Sequence, residues 1–199
     1  MKKTTRLPPD SFPSWFDGQN INEALFCRDY LESHQLLYTE RSFFTTEGRM
    51  TDEASLKTDI YQIIEPCASI GVPKKISNII ELLKIMAYTD NFPPQTDRIH
   101  VANGTLFLDG SFSKDKYEIV RSRFPVNYAP SASVPETWLH FLSDILYEDD
   151  IPTLQEYIGY CLIPCNKGQR MMVIKGNGGE GKSQIGTVLS HLFGCNAKD

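Results

Sequence analysis

Between residues 176 and 183 the chain reads Gly176-Asn177-Gly178-Gly179-Glu180-Gly181-Lys182-Ser183. This matches the spacing G-x-x-x-x-G-K-[ST] in full. Glycines let a backbone curl tightly and turn successive N–H groups toward phosphate oxygens. A helix starting behind such a loop adds partial positive charge where the anion sits. Lys182 is the expected catalytic group, reaching the β- and γ-phosphates, and the Ser183 hydroxyl is the expected Mg²⁺ ligand. All eight residues are expected to touch nucleotide, with ATP and Mg²⁺ as the ligands. A chance match in a chain of this length has a probability of roughly 0.7%, so the motif weighs heavily.

Such a loop needs a strand before it and a helix after it. Met171-Met172-Val173-Ile174 is a continuous apolar run, which suits a strand buried on both faces of a parallel sheet. Ile185, Val188, Leu189, Leu192 and Phe193 follow i, i+3, i+4, i+7, i+8 spacing, and Gly194 stands where a helix favours a glycine stop. An ATPase also needs a second, acidic strand to position Mg²⁺. Only sixteen residues follow Ser183, with Asp199 the sole acid among them. The expectation is an apparently truncated ATPase core.

Upstream, four segments have helical apolar spacing. The first starts near Asn20 or Asn22 and aligns Phe26, Tyr30 and Leu37. The second carries Leu56, Ile60, Ile63 and Ile64, opened by Thr51-Asp52 and stopped before Pro66. The third carries Ile76, Ile79, Ile80, Leu83 and Ala87. The fourth carries Trp138, Leu142, Ile145 and Leu146, with Pro135 near its first turn. Leu154, Tyr157, Ile158 and Cys161 mark a further short helix, interrupted by Gly159 and closed by Pro164. Strands are expected at Leu36–Thr39 and Ser42–Thr45. Ile99–Ala102 and Thr105–Leu108 flank Asn103-Gly104 as a two-residue hairpin. The fold expected is an α+β module followed by the first strand, P-loop and helix of an α/β, AAA+-like ATPase domain. Its divisions are a flexible leader over 1–20, an α+β domain over 21–132, and linker helices with the start of the ATPase over 133–199.

Apolar residues make up 41% and charged residues 23%, a folded-protein composition. The net charge of −5 gives no general pull toward nucleic acid or acidic membranes. From Cys161 onward five Lys or Arg oppose two acids, a modest local excess of +3. The basic start runs into Leu7-Pro8-Pro9-Asp10 rather than an apolar segment, which argues against a signal peptide. No apolar run has the ~18 residues that span a bilayer. Five cysteines without framework spacing fit a reducing compartment. The chain reads as cytoplasmic, without a membrane partner.

Other chemistry-bearing residues read more plainly. Cys161 and Cys165 have C-x₃-C spacing with no second pair nearby, so they read as ordinary small side chains rather than zinc ligands. His34, His100, His140 and His191 form no paired motif. Asp144, Glu148, Asp149, Asp150 and Glu156 read as a solvated helix end rather than a Mg²⁺ cluster. Lys167, Arg170 and Lys175 suit DNA phosphates, a neighbouring subunit's nucleotide or solvent equally. Tyr38, Phe43 and Phe44 read as hairpin packing rather than base-stacking platforms.

Three stretches ahead of the loop carry a resemblance. They are Val101–Gly110 (VANGTLFLDG), Phe124–Leu146 (FPVNYAPSASVPETWLHFLSDIL) and Leu154–Pro164 (LQEYIGYCLIP). In that order before a P-loop, they resemble the helicase part of phage and plasmid primase–helicases. Those are superfamily 3 helicases, related to the poxvirus primase–nucleoside triphosphatase. The likeness spans roughly residues 21–194 and implies that 21–132 is a helicase-associated domain. It further implies an ATP-driven homo-hexameric ring on single-stranded or origin DNA, working with a primase or other replication proteins in the cytoplasm of a bacterial host. Gly176, Gly181, Lys182 and Ser183 match the family's phosphate-loop positions. Glu180 stands where the family usually has Asn, and Gln184 where it usually has Thr. The family's magnesium strand, sensor Asn and arginine finger have no counterpart, so the isolated chain is expected to hydrolyse little or no ATP. The alternative is a non-catalytic replication module for interaction or oligomerisation, carrying a remnant P-loop.

Overall fold

Asn22 opens the first helix by accepting a hydrogen bond on its side chain from the Leu25 amide at 3.1 Å. In the structure, a computed structural model describing residues 12–50, 52–68 and 70–194, that helix is α1, Glu23–Ser33. The chain continues through β1 (Leu37–Thr39), β2 (Ser42–Thr45), β3 (Gly48–Arg49), α2 (Ala54–Ile64) and α3 (Val72–Met86). Then come β4 (Arg98–Val101), β5 (Gly104–Phe107), β6 (Phe112–Ser113), α4 (Glu136–Ile145), α5 (Asp150–Cys161) and α6 (Lys182–Phe193). Six helices and two three-stranded antiparallel sheets, β1-β2-β3 and β4-β5-β6, make this a mixed α+β fold among the described residues. None of these helices is long and apolar enough to cross a membrane.

The chain divides into two units, the residues up to Phe92 with Ile119–Arg121, and the remainder. The first unit owns a large core. Phe26 and Tyr30 of α1, Leu56, Ile60 and Ile64 of α2, and Ile79, Ile80 and Leu83 of α3 are all buried together with Trp15 and Phe43. These are the positions that helical spacing selects, except that Leu37 belongs to β1 rather than α1. The leader expected over 1–20 packs from Trp15 onward: its ring is buried and its Nε1 donates to Asp29 at 3.2 Å. Residues 1–11 and Thr51 lie outside the described residues.

The β1–β2 hairpin forms at its expected place, with Leu37 opposite Phe44 and Thr39 opposite Ser42. Its turn residues Glu40 and Arg41 both have positive φ, 50° and 59°, as a tight two-residue turn demands. Arg121 braces this turn, donating to both Glu40 carboxylate oxygens at 2.8 and 3.1 Å and to the Phe92 carbonyl. Its guanidinium holds the Glu40 carboxyl below the usual range.

In the second unit the expected Asn-Gly hairpin forms one residue out of register. Val101 pairs with Gly104, so Ala102-Asn103 make the turn and neither has positive φ. Two contacts explain the shift. The Asn103 side chain brackets the Tyr128 backbone, accepting from its N–H and donating to its carbonyl, each at 2.9 Å. Gly104 is needed within the strand, because a Cβ there would collide with the Ser113 carbonyl of β6. The neighbouring His100 is buried between Thr105 Oγ1 and Gln95 Oε1, both at 3.0 Å, and burial lowers its pKa. The segment after residue 121 runs beside β4, where Phe124 donates its N–H to the His100 carbonyl at 2.8 Å. It then meets the end of α6 through the rings of Phe124 and Phe193, 5.7 Å apart.

Candidate functional site

The P-loop segment arrives at α6 without the expected strand. Residues 171–177 have no strand pairing, and Met171 and Val173 are 83% and 75% exposed. The physical reason is that a strand exists only through its neighbours, and no described strand lies alongside this run. An apolar run alone marks a segment that suits burial; it does not say what buries it.

The helix behind the loop forms as the spacing predicts. Ile185 is fully buried against Leu142 of α4 and Leu154 of α5, and Gly194 ends α6 with φ 69°. Around these three residues gather the half-buried Trp138, Phe141, Ile145 and Leu189. Gly159 sits inside α5 without interrupting it, since its position faces open space and costs only helix propensity. Val188 is left exposed despite its place in the apolar pattern.

The turn into α6 is made by glycine. Gly181 caps the helix in the left-handed region, φ 80° and ψ 4°, and no side chain bonds to the helix start. A larger residue at 181 would strain the backbone and press its Cβ to 3.0 Å from the Phe141 ring. The first amides of α6 are thus uncapped by side chains and face the loop's end, where an anion gains most from helix polarity. Lys182 folds back over the loop, its Nζ donating to the Asn177 carbonyl at 2.6 Å.

Glu180 is the departure from a plain phosphate cradle. Its Oε2 lies 3.5 Å from Lys182 Nζ. A Cβ at Gly176 would run into that same carboxylate, so Glu180 bends inward across the loop. The loop therefore brings together Gly176, Asn177, Glu180 and Lys182. Gly178 and Gly179 form its exposed tip, and Ser183 lies one residue into α6. The Lys182 ammonium is thus held between the Asn177 carbonyl and the Glu180 carboxylate.

The remaining candidates are scattered. Asp144 pairs with His140 at 3.1 Å, while Asp149 and Asp150 lie at the start of α5. Among the described residues, no three His, Cys, Asp or Glu side chains converge as a metal site. Lys167, Arg170 and Lys175 are exposed. Phe43 and Phe44 are buried, and Tyr38 packs on Phe43 at 4.8 Å, so this trio is hairpin core. Residue spacing missed one feature: an open groove of about 990 Å³ between the N-terminal end of α4 and the first turns of α6. Trp138 was its one sequence signal, and helical spacing assigns that ring to the core. No protein-family model matches this chain, and no curated protein matches it.

Proposed function

We propose that this chain binds the phosphates of a nucleoside triphosphate, ATP with Mg²⁺, through residues 176–183. We place it in the motor of a phage or plasmid primase–helicase acting in DNA replication. The observation that carries the phosphate reading is the start of α6: a left-handed Gly181 cap, side-chain-free amides, and an ammonium folded over the loop. Lys182 would offset charge on the β- and γ-phosphates, and Ser183 would share Mg²⁺ with them. The Mg²⁺ would draw electron density from the phosphate oxygens. The helicase part of the reading rests on the three stretches at 101–110, 124–146 and 154–164, two of which flank the site in the fold. In this reading single-stranded or origin DNA is the track, and a homo-hexamer with primase is the assembly.

A second reading has its own supporting observation. The Glu180–Lys182 contact lowers the charge that a phosphate would meet, which favours a replication module with a remnant P-loop. Titration with a fluorescent ATP analogue and Mg²⁺ separates the two. Saturation below millimolar ligand, weakened at least tenfold by Lys182→Ala, supports the first. No saturation at millimolar ligand sinks it.

A further inference from the structure

Beside the phosphate loop, α4 and α6 enclose the open groove of about 990 Å³, lined by Val134, Glu136, Trp138, Phe141, Gln184 and Val188 among others. Its size lies at the upper end of small-molecule sites. Trp138 and Phe141 line it as a stacked pair, ring centroids 5.6 Å apart and 28° from parallel. Neither ring is fully buried, although helical spacing points Trp138 inward. Both rings pack on the small cluster of α4, α5 and α6 and still reach the groove.

The groove adjoins the candidate phosphate site. Gln184 directly follows Ser183, and the Phe141 ring closes on the position of Gly181. In a loop of this type the lysine end meets the β- and γ-phosphates, while the rest of the nucleotide trails away from it. From Ser183 to Val188 the helix rises about 7.5 Å, a span within reach of a ribose and base. The groove also offers a hydrogen-bonding edge: the Glu136 carboxylate accepts only, and the Gln184 amide donates and accepts. A purine presents the complementary set, a flat π-face with amino and ring-nitrogen groups on its rim.

We propose that this groove is the base subsite of the nucleotide held by residues 176–183, with a purine lying on the Trp138–Phe141 pair and its polar edge toward Gln184 and Glu136. This rests on the phosphate-loop reading and adds what that loop lacks, a means of recognising more than phosphate. Stacking on one aromatic side chain is worth about a tenfold change in affinity or somewhat more.

The test compares Mg²⁺–ATP with Mg²⁺–tripolyphosphate, which has the phosphates and no base, on the full chain. Trp138 is the groove's own reporter, since the other tryptophan, Trp15, is buried in the first unit. ATP is expected to quench Trp138 fluorescence and bind at least tenfold more tightly than tripolyphosphate. Trp138→Ala should remove that advantage and leave tripolyphosphate affinity unchanged, while Trp138→Phe should restore most of it. Gln184→Ala, at an exposed position that folding does not need, should weaken ATP alone by about three- to tenfold. Equal affinity for the two ligands, with no effect of any groove variant, overturns the base subsite and leaves the phosphate loop standing. Binding of neither ligand overturns both. Trp138→Ala altering the sedimentation coefficient but not ATP affinity overturns the subsite, because a second copy of the chain would then cover the groove.

Discussion

The core of the first unit and the helices around the phosphate loop are built on opposite terms. In the first, thirteen buried side chains from α1, α2, α3, β2 and the segments before α1 and β1 form one cluster. Around the loop, Leu142, Leu154 and Ile185 are the buried members of theirs, one from each helix. Apolar burial contributes roughly 25 cal/mol per Å², so the first region is held chiefly by its own interior. The second leaves Trp138, Val188, Met171 and Val173 partly or largely in contact with water. Regions with few buried apolar contacts open at lower free energy and are where ligand-binding segments concentrate. The difference teaches that one chain can carry a deep core in one unit and a thin, accessible one around residues 176–183 in the other.

The sharpest way to break that contrast is to cut equal holes in both. Leu83→Ala empties a fully buried site within the large cluster, and Leu142→Ala does so within the small one. Such truncations cost about 2–5 kcal/mol, more where the surroundings cannot collapse. Leu83→Ala is expected at ~3–4 kcal/mol and Leu142→Ala near ~2 kcal/mol, because half-exposed neighbours can relax into the gap. Each unit carries one tryptophan, so thermal melting followed by fluorescence reports on both in single-tryptophan backgrounds. Leu83→Ala should lower the Trp15 transition by about 12 °C or more, and Leu142→Ala chiefly the Trp138 transition. Equal shifts of both probes in both variants would mean one cooperative core and end the comparison.

The same contrast explains what could be read from the residues. All six helices follow from apolar spacing, and Asn22 and Gly194 mark ends that local chemistry alone decides. The aromatic hairpin was legible because alternation and turn length are local as well. The Asn-Gly hairpin slipped because Asn103 and Gly104 serve distant partners, the Tyr128 backbone and the Ser113 carbonyl, which spacing cannot see. The run Met171–Ile174 carries the composition of a buried strand, but pairing belongs to neighbours rather than to the run. In the candidate site, spacing marked residues 176–183 and the helix behind them, and the inward bend of Glu180 was not legible because it depends on the loop's path. The groove was hidden for a similar reason: it is the space that α4 and α6 fail to fill.

Ligand-dependent stability sharpens the comparison further. A ligand that binds only the folded site raises its apparent stability with concentration, so Mg²⁺–ATP should raise the Trp138 transition and leave the Trp15 transition where it was. Glu180→Asn should enlarge this effect. The Glu180–Lys182 pair at 3.5 Å is partly exposed and worth ~1 kcal/mol at most, and the carboxylate also repels an incoming phosphate. Removing both effects should tighten ATP binding about five- to tenfold, read by equilibrium titration. Unchanged or weaker binding would mean that Glu180 points away from the phosphates when ligand arrives.

The smallest expected effect lies in the first unit, at the turn between β1 and β2. Arg41 is exposed and holds φ 59°, a conformation that costs an ordinary residue about 1–2 kcal/mol. Glycine is free of that cost but loses about 0.5–1 kcal/mol more chain entropy on folding. Arg41→Gly should therefore stabilise by ~0.5 kcal/mol, raising the Trp15 transition by about 2–4 °C and leaving the Trp138 transition alone. Glu40→Gly relieves the similar φ of 50° but gives up both hydrogen bonds from Arg121, so it should come out neutral or destabilising. The two substitutions remove the same kind of strain two bonds to one side chain apart. If both stabilised equally, Arg121 would contribute nothing to the turn. If neither moved the Trp15 transition, the turn would lie outside the cooperative core that distinguishes this unit from the one carrying the phosphate loop.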